Sequence, residues 1–148
     1  MKKAFTIVEI MIVVSIIGIL AALAVPLVGD YVTSAKESAA KADLRSFRNF
    51  IEVYAAQHNG APPGYLDNKA ETTPDMGQLL WQIRTTRLLT DFPKNPFNGK
   101  KLIKVIVNDE DMPAGADGTN GWIYKPSTRQ FHLDWPGKDS KGVRYYDY

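Results

Sequence analysis

The sequence predicts an α+β fold: a long N-terminal helix whose first half can span a membrane, packed through its second half on a small antiparallel C-terminal sheet. Three observations carry this. Twenty consecutive residues from Ile10 to Gly29 hold no charge. Leu44, Phe47, Ile51 and Tyr54 then recur at spacings of 3, 4 and 3, the period of one helical face. Beyond residue 100, three short segments rich in β-branched and aromatic residues are separated by turn formers, as strands are.

The apolar run IMIVVSIIGILAALAVPLVG comes first. At about 1.5 Å rise per residue it makes a helix of roughly 30 Å, the thickness of a bilayer's hydrocarbon core. Lys2 and Lys3 stand ahead of it, so the positive-inside rule puts the N-terminus in the cytoplasm and everything after Asp30 on the far side. The chain has 18 Lys+Arg against 16 Asp+Glu, and these two lysines supply the whole surplus. The charge-balanced remainder argues against a general nucleic-acid binder, which needs a basic stripe to displace counterions from phosphates. A secretory signal peptide begins in a similar way, and Ala22-Leu23-Ala24 offers an A-x-A-like site that would release a soluble domain starting at Val25. The run is longer than a signal core, however, and Glu9 stands at its head, where a plain signal has no acid. An ionisable residue in such a segment costs a few kcal/mol if it reaches the helix centre, so it marks a function and needs a partner.

The stretch Lys2-Lys3-Ala4-Phe5-Thr6-Ile7-Val8-Glu9-Ile10, followed by the apolar run to Pro26, closely resembles the N-terminus of type IV prepilins and of the pseudopilins of type II secretion systems. Four features keep register: the basic leader, Phe5, Glu9 and Pro26. The resemblance implies that a dedicated prepilin peptidase cuts between Ala4 and Phe5 and that Phe5 is then N-methylated. It makes Glu9 the fifth residue of the mature chain and places Pro26 at the family's helix-kinking proline. Ala4 stands where the family has glycine, so a small residue is kept before the cut. The chain then divides into a leader at 1–4, a membrane and assembly helix at 5–29, and an extracytoplasmic globular domain at 30–148.

On that reading the new amine of Phe5 lies one helical turn from Glu9, or within reach of the same carboxylate in a neighbouring copy. In a filament whose apolar helices bundle away from lipid, an unpaired Glu9 would be strongly unfavourable. Glu9 is therefore expected to pin the register, admitting a subunit only where its carboxylate meets an amine. Gly18 and Pro26 each weaken a helix, by about 1 and 3 kcal/mol. They bracket a stretch able to unwind on leaving the bilayer; alternatively, Gly18 permits close helix packing and Pro26 bends the helix at the membrane surface.

After Asp30 the helix becomes amphipathic, with Ala35 and Ala39 or Ala40 extending the stripe backwards and Lys36, Lys41, Arg45, Arg48 and Glu52 lying elsewhere. Asn59-Gly60 and Pro62-Pro63-Gly64 end it, so the whole helix is expected from about Phe5 to His58. His58 reads as an exposed last-turn residue that suits the helix dipole. Asp75 reads as the N-cap of a second helix running to about Leu89, which Pro93 and Pro96 stop. The order of a Leu pair, then Pro93-Lys94-Asn95-Pro96-Phe97-Asn98-Gly99, resembles the turn that leads into the sheet of major pseudopilins, with Phe97 in place of tryptophan.

The strands are expected at Leu102–Val107, Gly121–Lys125 and Gln130–Trp135, the last two joined by a hairpin through Pro126–Arg129. Trp122 and Tyr124 share a face, as do Phe131, Leu133 and Trp135, and these aromatics are expected to meet the helix stripe. His132 falls on the other face, toward solvent.

With no cysteine and two separated histidines, the chain offers no disulfide framework, no thiolate chemistry and no Ser/His/Asp arrangement, and no enzyme is expected. The acidic loop Asn108–Asp111 with Asp117, and the C-terminal Asp134, Asp139 and Ser140, are the candidates for a metal. Their hard oxygens suit Ca²⁺, and the resemblance to major pseudopilins implies calcium in a C-terminal loop, with Asp134 and Asp139 as ligands. Neither stretch has EF-hand spacing, and Lys138 and Lys141 repel a cation, so a solvated charged loop is the preferred reading. The expected function is a structural subunit that polymerises through its N-terminal helix into a type IV pilus-like filament. A short helix-then-sheet domain without a C-terminal disulfide pair resembles the major pseudopilins more than the cysteine-stapled pilins, which implies a type II secretion pseudopilus over a true type IV pilus serving adhesion, motility or DNA uptake. The implied partners are copies of the chain, minor pilins or pseudopilins, the prepilin peptidase, the inner-membrane assembly machinery and membrane lipid.

Overall fold

A computed structural model describes residues 6–89 and 92–148, and for residues 24–27 the backbone alone. Helix α1 (Ile7–Gln57) is followed by α2 (Met76–Thr86) and by strands β1 (Ile103–Val105), β2 (Trp122–Lys125) and β3 (Gln130–Leu133). Two compact units divide between Lys36 and Glu37.

In the N-terminal unit the helix is long and apolar enough to cross a membrane by length and composition. Its large side chains stand in the open: Ile10, Ile12, Val14, Ile17 and Leu20 are each at least half exposed. Left in water, each of these side chains forgoes roughly 1.5–3 kcal/mol of burial, so the surface marks a site of contact with lipid or protein.

In the C-terminal unit the stripe behaves as its period requires. Ala40, Leu44, Phe47, Ile51 and Tyr54 are buried, and Ala40, not Ala35 or Ala39, extends the stripe backwards. The stripe meets Trp122, Tyr124, Phe131 and Leu133 of the sheet in one core. Phe47 is its centre, stacked on Phe131 at 4.4 Å between ring centroids and 4.5 Å from Phe92. Phe50 joins it edge-on to Phe47 at 6.4 Å. The helix ends where Asn59 turns left-handed, a conformation Asn tolerates, and the Gly60 N–H closes on the Ala55 carbonyl at 2.8 Å.

The α+β class holds, but the sheet is mixed. β2 and β3 pair antiparallel, Trp122 opposite Leu133 and Tyr124 opposite Phe131. β1 runs parallel to β2, Ile103 opposite Trp122 and Val105 opposite Tyr124. The reason is the connection 106–121, long enough to return the chain to the end from which β1 started, where a tight hairpin would have reversed it.

The outer face of the sheet is also covered. Ile106, Ile123 and Tyr146 form a second small core, and His132, expected toward solvent, stacks on Tyr146 at 4.5 Å between centroids. The C-terminal segment folds back over this face, which a strand alternation pattern cannot foresee.

Asp75 caps α2 as expected, its carboxylate accepting from the Gly77 N–H at 2.5 Å and the Gln78 N–H at 3.2 Å. Gln82, buried inside this helix, accepts from the Gly64 N–H and donates to the Tyr65 carbonyl, tying α2 to the loop before it. The helix stops at Thr86, short of Leu89, because Arg87 takes a left-handed conformation with φ 53° and ψ 16°. That conformation costs a non-glycine residue about 1 kcal/mol. Arg87→Gly is accordingly expected to stabilise the fold by about 1 kcal/mol, raising Tm by a few degrees in a thermal melt.

Candidate functional site

The head of α1 is built from two side chains. Thr6 precedes the first helical residue and Glu9 stands three further on, the spacing of a capping box. The Glu9 N–H donates to Thr6 Oγ1 at 3.2 Å, and the Thr6 N–H donates to Glu9 Oε2 at 2.9 Å. The Thr6 hydroxyl also donates to Oε2, at 2.9 Å. Two of the helix's orphan N–H groups are thereby satisfied, and the carboxylate is held at the positive end of the helix dipole. Thr6 is the residue that sequence reasoning missed, although Thr-x-x-Glu ahead of an apolar run is itself the signal.

Gly18 lies further along the same helix with open space where a side chain would be. A smooth patch of backbone is thus presented, as close helix packing requires. Ala4, Phe5 and the side chain of Pro26 lie outside the described residues.

The two candidate calcium ligands are committed elsewhere. Asp134 is fully buried, and its carboxylate accepts three backbone N–H groups, from Asp117 and Gly118 at 2.9 Å and from Asn120 at 2.8 Å. Asp139, with its side chain 3% exposed, accepts from the Lys141 and Val143 N–H groups at 2.9 Å and from the Tyr148 hydroxyl at 2.9 Å. The Lys41 ammonium sits 4.0 Å from the same carboxylate and 3.9 Å above the Tyr148 ring. Among the described residues no three metal-binding side chains converge. Asp139 instead closes the loop 139–143 and fastens the end of the chain to α1.

Burial pushes the Asp139 carboxyl up, but the Val143 N–H, the Tyr148 hydroxyl, the Lys141 N–H and the Lys41 charge together hold it below the ordinary aspartate range. Its folded value therefore lies below its unfolded one. Ionised Asp139 stabilises this segment above about pH 4, and that contribution is lost as pH falls through the lower, folded value. Amide exchange should show it: the protection of Val143 is expected to fall below pH 4, and Asp139→Ala should abolish it already at pH 7. Protection that survives both changes would mean that the edge-on contact of Tyr145 and Tyr148 and its neighbours hold the segment without Asp139.

Neither histidine is placed for chemistry. His58 is half-buried rather than exposed, stacked on Tyr54 with Nδ1 2.8 Å from the Tyr54 carbonyl oxygen. His132 Nδ1 lies 2.7 Å from the Tyr146 carbonyl oxygen.

The head of α1 thus presents an exposed apolar helix, long enough to cross a membrane, that begins at a capped carboxylate. Residues 1–25 match the prokaryotic N-terminal methylation motif. The chain is 29% identical over 110 residues to a type IV major pilin of Neisseria gonorrhoeae, covering 69% of this chain and 67% of that protein. It is 43% identical over 61 residues to a fimbrial protein of Eikenella corrodens, covering 41% of this chain and 38% of that one. It is 39% identical over 61 residues to the type II secretion system core protein G of Pseudomonas aeruginosa, covering 41% and 43%. The chain thus spans between 38% and 67% of these relatives' lengths. No solved structure matches it. The chain is thus pilin-like: it carries the N-terminal methylation motif and is similar to type IV pilins and to a type II secretion core protein.

Proposed function

We propose that this chain polymerises through α1 into a type IV pilus-like filament after a prepilin peptidase cuts between Ala4 and Phe5 and Phe5 is methylated. The observation that carries the reading is the uncharged, exposed run from Ile10 headed by Glu9. Before assembly, residues 5–29 anchor the chain in the inner membrane with the N-terminus in the cytoplasm, and residues 30–148 lie on the far side. In the filament the same run buries itself against other copies, and Glu9 finds the amine of Phe5.

Of the two filament types, the secretion pseudopilus is supported by the cysteine-free C-terminus, whose loop is closed by Asp139 hydrogen bonds instead of a disulfide. The adhesive or motile pilus is supported by the longer alignment with the gonococcal pilin. Intact-mass measurement of the protein sheared from cells tests the core of the proposal. A chain starting at methylated Phe5 is expected; one starting at Val25 would establish a secreted soluble domain. Electron microscopy then separates long surface filaments from a short periplasmic one.

A further inference from the structure

A cleft of about 580 Å³ opens between α2 and the start of β1. Its wall is apolar, with Leu80, Ile83, Leu89 and Leu102, and the exposed arginines Arg84 and Arg87 line it. Neither guanidinium has an ion-pair or hydrogen-bond partner among the described residues. Leu102, at the edge of the cleft, is 54% exposed. Arg87 stands at the left-handed position that glycine would fill with less strain. Stability alone does not account for an arginine there.

The complementary chemistry lies on the same subunit. β1 leads out of the cleft, and its extended path continues through Ile106, whose N–H still bonds the Tyr124 carbonyl at 2.8 Å. At about 3.3 Å per residue, Leu102 and Val107 are separated by roughly 16 Å. At that far end comes Val107, partly exposed, and then Asp109, Glu110 and Asp111, all exposed and with no side-chain partner among the described residues. An apolar residue followed by three carboxylates thus stands at one end of a strand, and at the other an apolar cleft lined by two arginines that have no partner among the described residues. The separation prevents them from meeting within one chain.

We propose that the loop 107–111 of one subunit docks in the α2–β1 cleft of a second copy, Val107 entering the apolar wall and the carboxylates pairing with Arg84 and Arg87. Guanidinium groups match carboxylates in bidentate geometry, which gives such a contact direction as well as attraction. Because the two surfaces differ and lie apart, the contact is heterologous, and its repetition extends a row of subunits instead of closing a dimer. This rests on the filament reading, to which it adds a contact between the C-terminal units.

The test uses the full chain in cells that assemble it, scoring sheared filaments per membrane-bound chain. Arg84→Glu with Arg87→Glu, and separately Asp109→Lys with Glu110→Lys, are each expected to lower the yield by about tenfold or more, and the fourfold combination to restore it to within about threefold of wild type. Reversed chains that assemble at the wild-type yield overturn the proposal. So does a combination no better than either pair, which would assign the cleft to an anionic occupant other than this chain. If a reversed chain fails to accumulate in the membrane, cysteines decide, since the chain has none of its own. Filaments carrying Leu102→Cys and Val107→Cys on every subunit should give a covalent ladder on oxidation, because the intramolecular gap exceeds a disulfide's reach of about 7 Å. Monomers alone from oxidised, intact filaments overturn the docking and leave the filament reading standing. Absence of filaments from the wild-type chain overturns both.

Discussion

Changing Glu9 to alanine is expected to abolish filament assembly while leaving the amount of chain in the membrane unchanged. The run from Ile10 to Gly29 that inserts is untouched, and alanine is easier than glutamate to place at a bilayer's edge. Two things are lost together. One is the capping box with Thr6, worth about 1 kcal/mol to the helix start. The other is the charge proposed to meet the amine of Phe5 among apolar helices, where a paired ion is favourable and an unpaired one costs several kcal/mol. Glutamine separates them. It serves a capping box as well as glutamate does, but it carries no charge. Glu9→Gln is therefore expected to keep the helix start and still reduce sheared filaments by at least about thirtyfold, the scale of losing one partner of a buried charge pair. A Gln variant that assembles as wild type, beside an Ala variant that does not, would show that Glu9 supplies a helix start and no ion pair.

The parts of the molecule that were legible in advance are those set by local chemistry. Asp75 caps α2 because its carboxylate reaches N–H groups two and three residues ahead. The stripe from Leu44 to Tyr54 is buried because period and apolarity coincide, and Trp122, Tyr124, Phe131 and Leu133 meet it for the same reason. What escaped was set in two cases by groups distant in sequence and in one by the backbone of a single residue. β1 is parallel because of where the connection 106–121 returns, and nothing within β1 itself records that. His132 is covered because Tyr146 folds over it, a contact made 14 residues away. α2 ends early although Leu88 and Leu89 continue its apolar pattern, because Arg87 leaves the helical region.

The sequence marked the position of Glu9 but left its Thr6 partner and the contacts of the loops unread. Glu9 was recognisable as a charge in the wrong place, whereas Asp134 and Asp139 read as free carboxylates. Their true partners are mostly backbone N–H groups, which every residue owns and no residue type advertises. A carboxylate on a list of candidate ligands therefore says little until the local amides have been counted.

Asp134 makes the second large prediction. Its carboxylate gathers the N–H groups of Asp117, Gly118 and Asn120, while on the carbonyl side of the same loop the Lys100 ammonium donates to the Gly118 and Thr119 oxygens at 3.0 and 2.8 Å. The loop's amide dipoles lie between a fixed anion and a fixed cation, an arrangement that orders it from both sides. Asp134→Ala strands three N–H groups at a fully buried position, each worth about 1–3 kcal/mol if left unpaired, so even with water entering the loss is expected to reach about 3 kcal/mol. A thermal melt of the detergent-solubilised chain should then fall by on the order of 10 °C. Asp134→Asn distinguishes the cause. It preserves shape, yet its amide group must face N–H donors with an N–H of its own, so it should cost nearly as much as alanine. An Asn variant as stable as wild type would mean that Asp134 only fills space. Calcium chelation on the same melt completes the argument. With both carboxylates occupied by N–H and O–H donors and an internal ammonium already on the carbonyls of the loop beside Asp134, Tm is expected to move by less than about 1 °C, whereas a metal bound well above its Kd would add several kcal/mol and raise it far more.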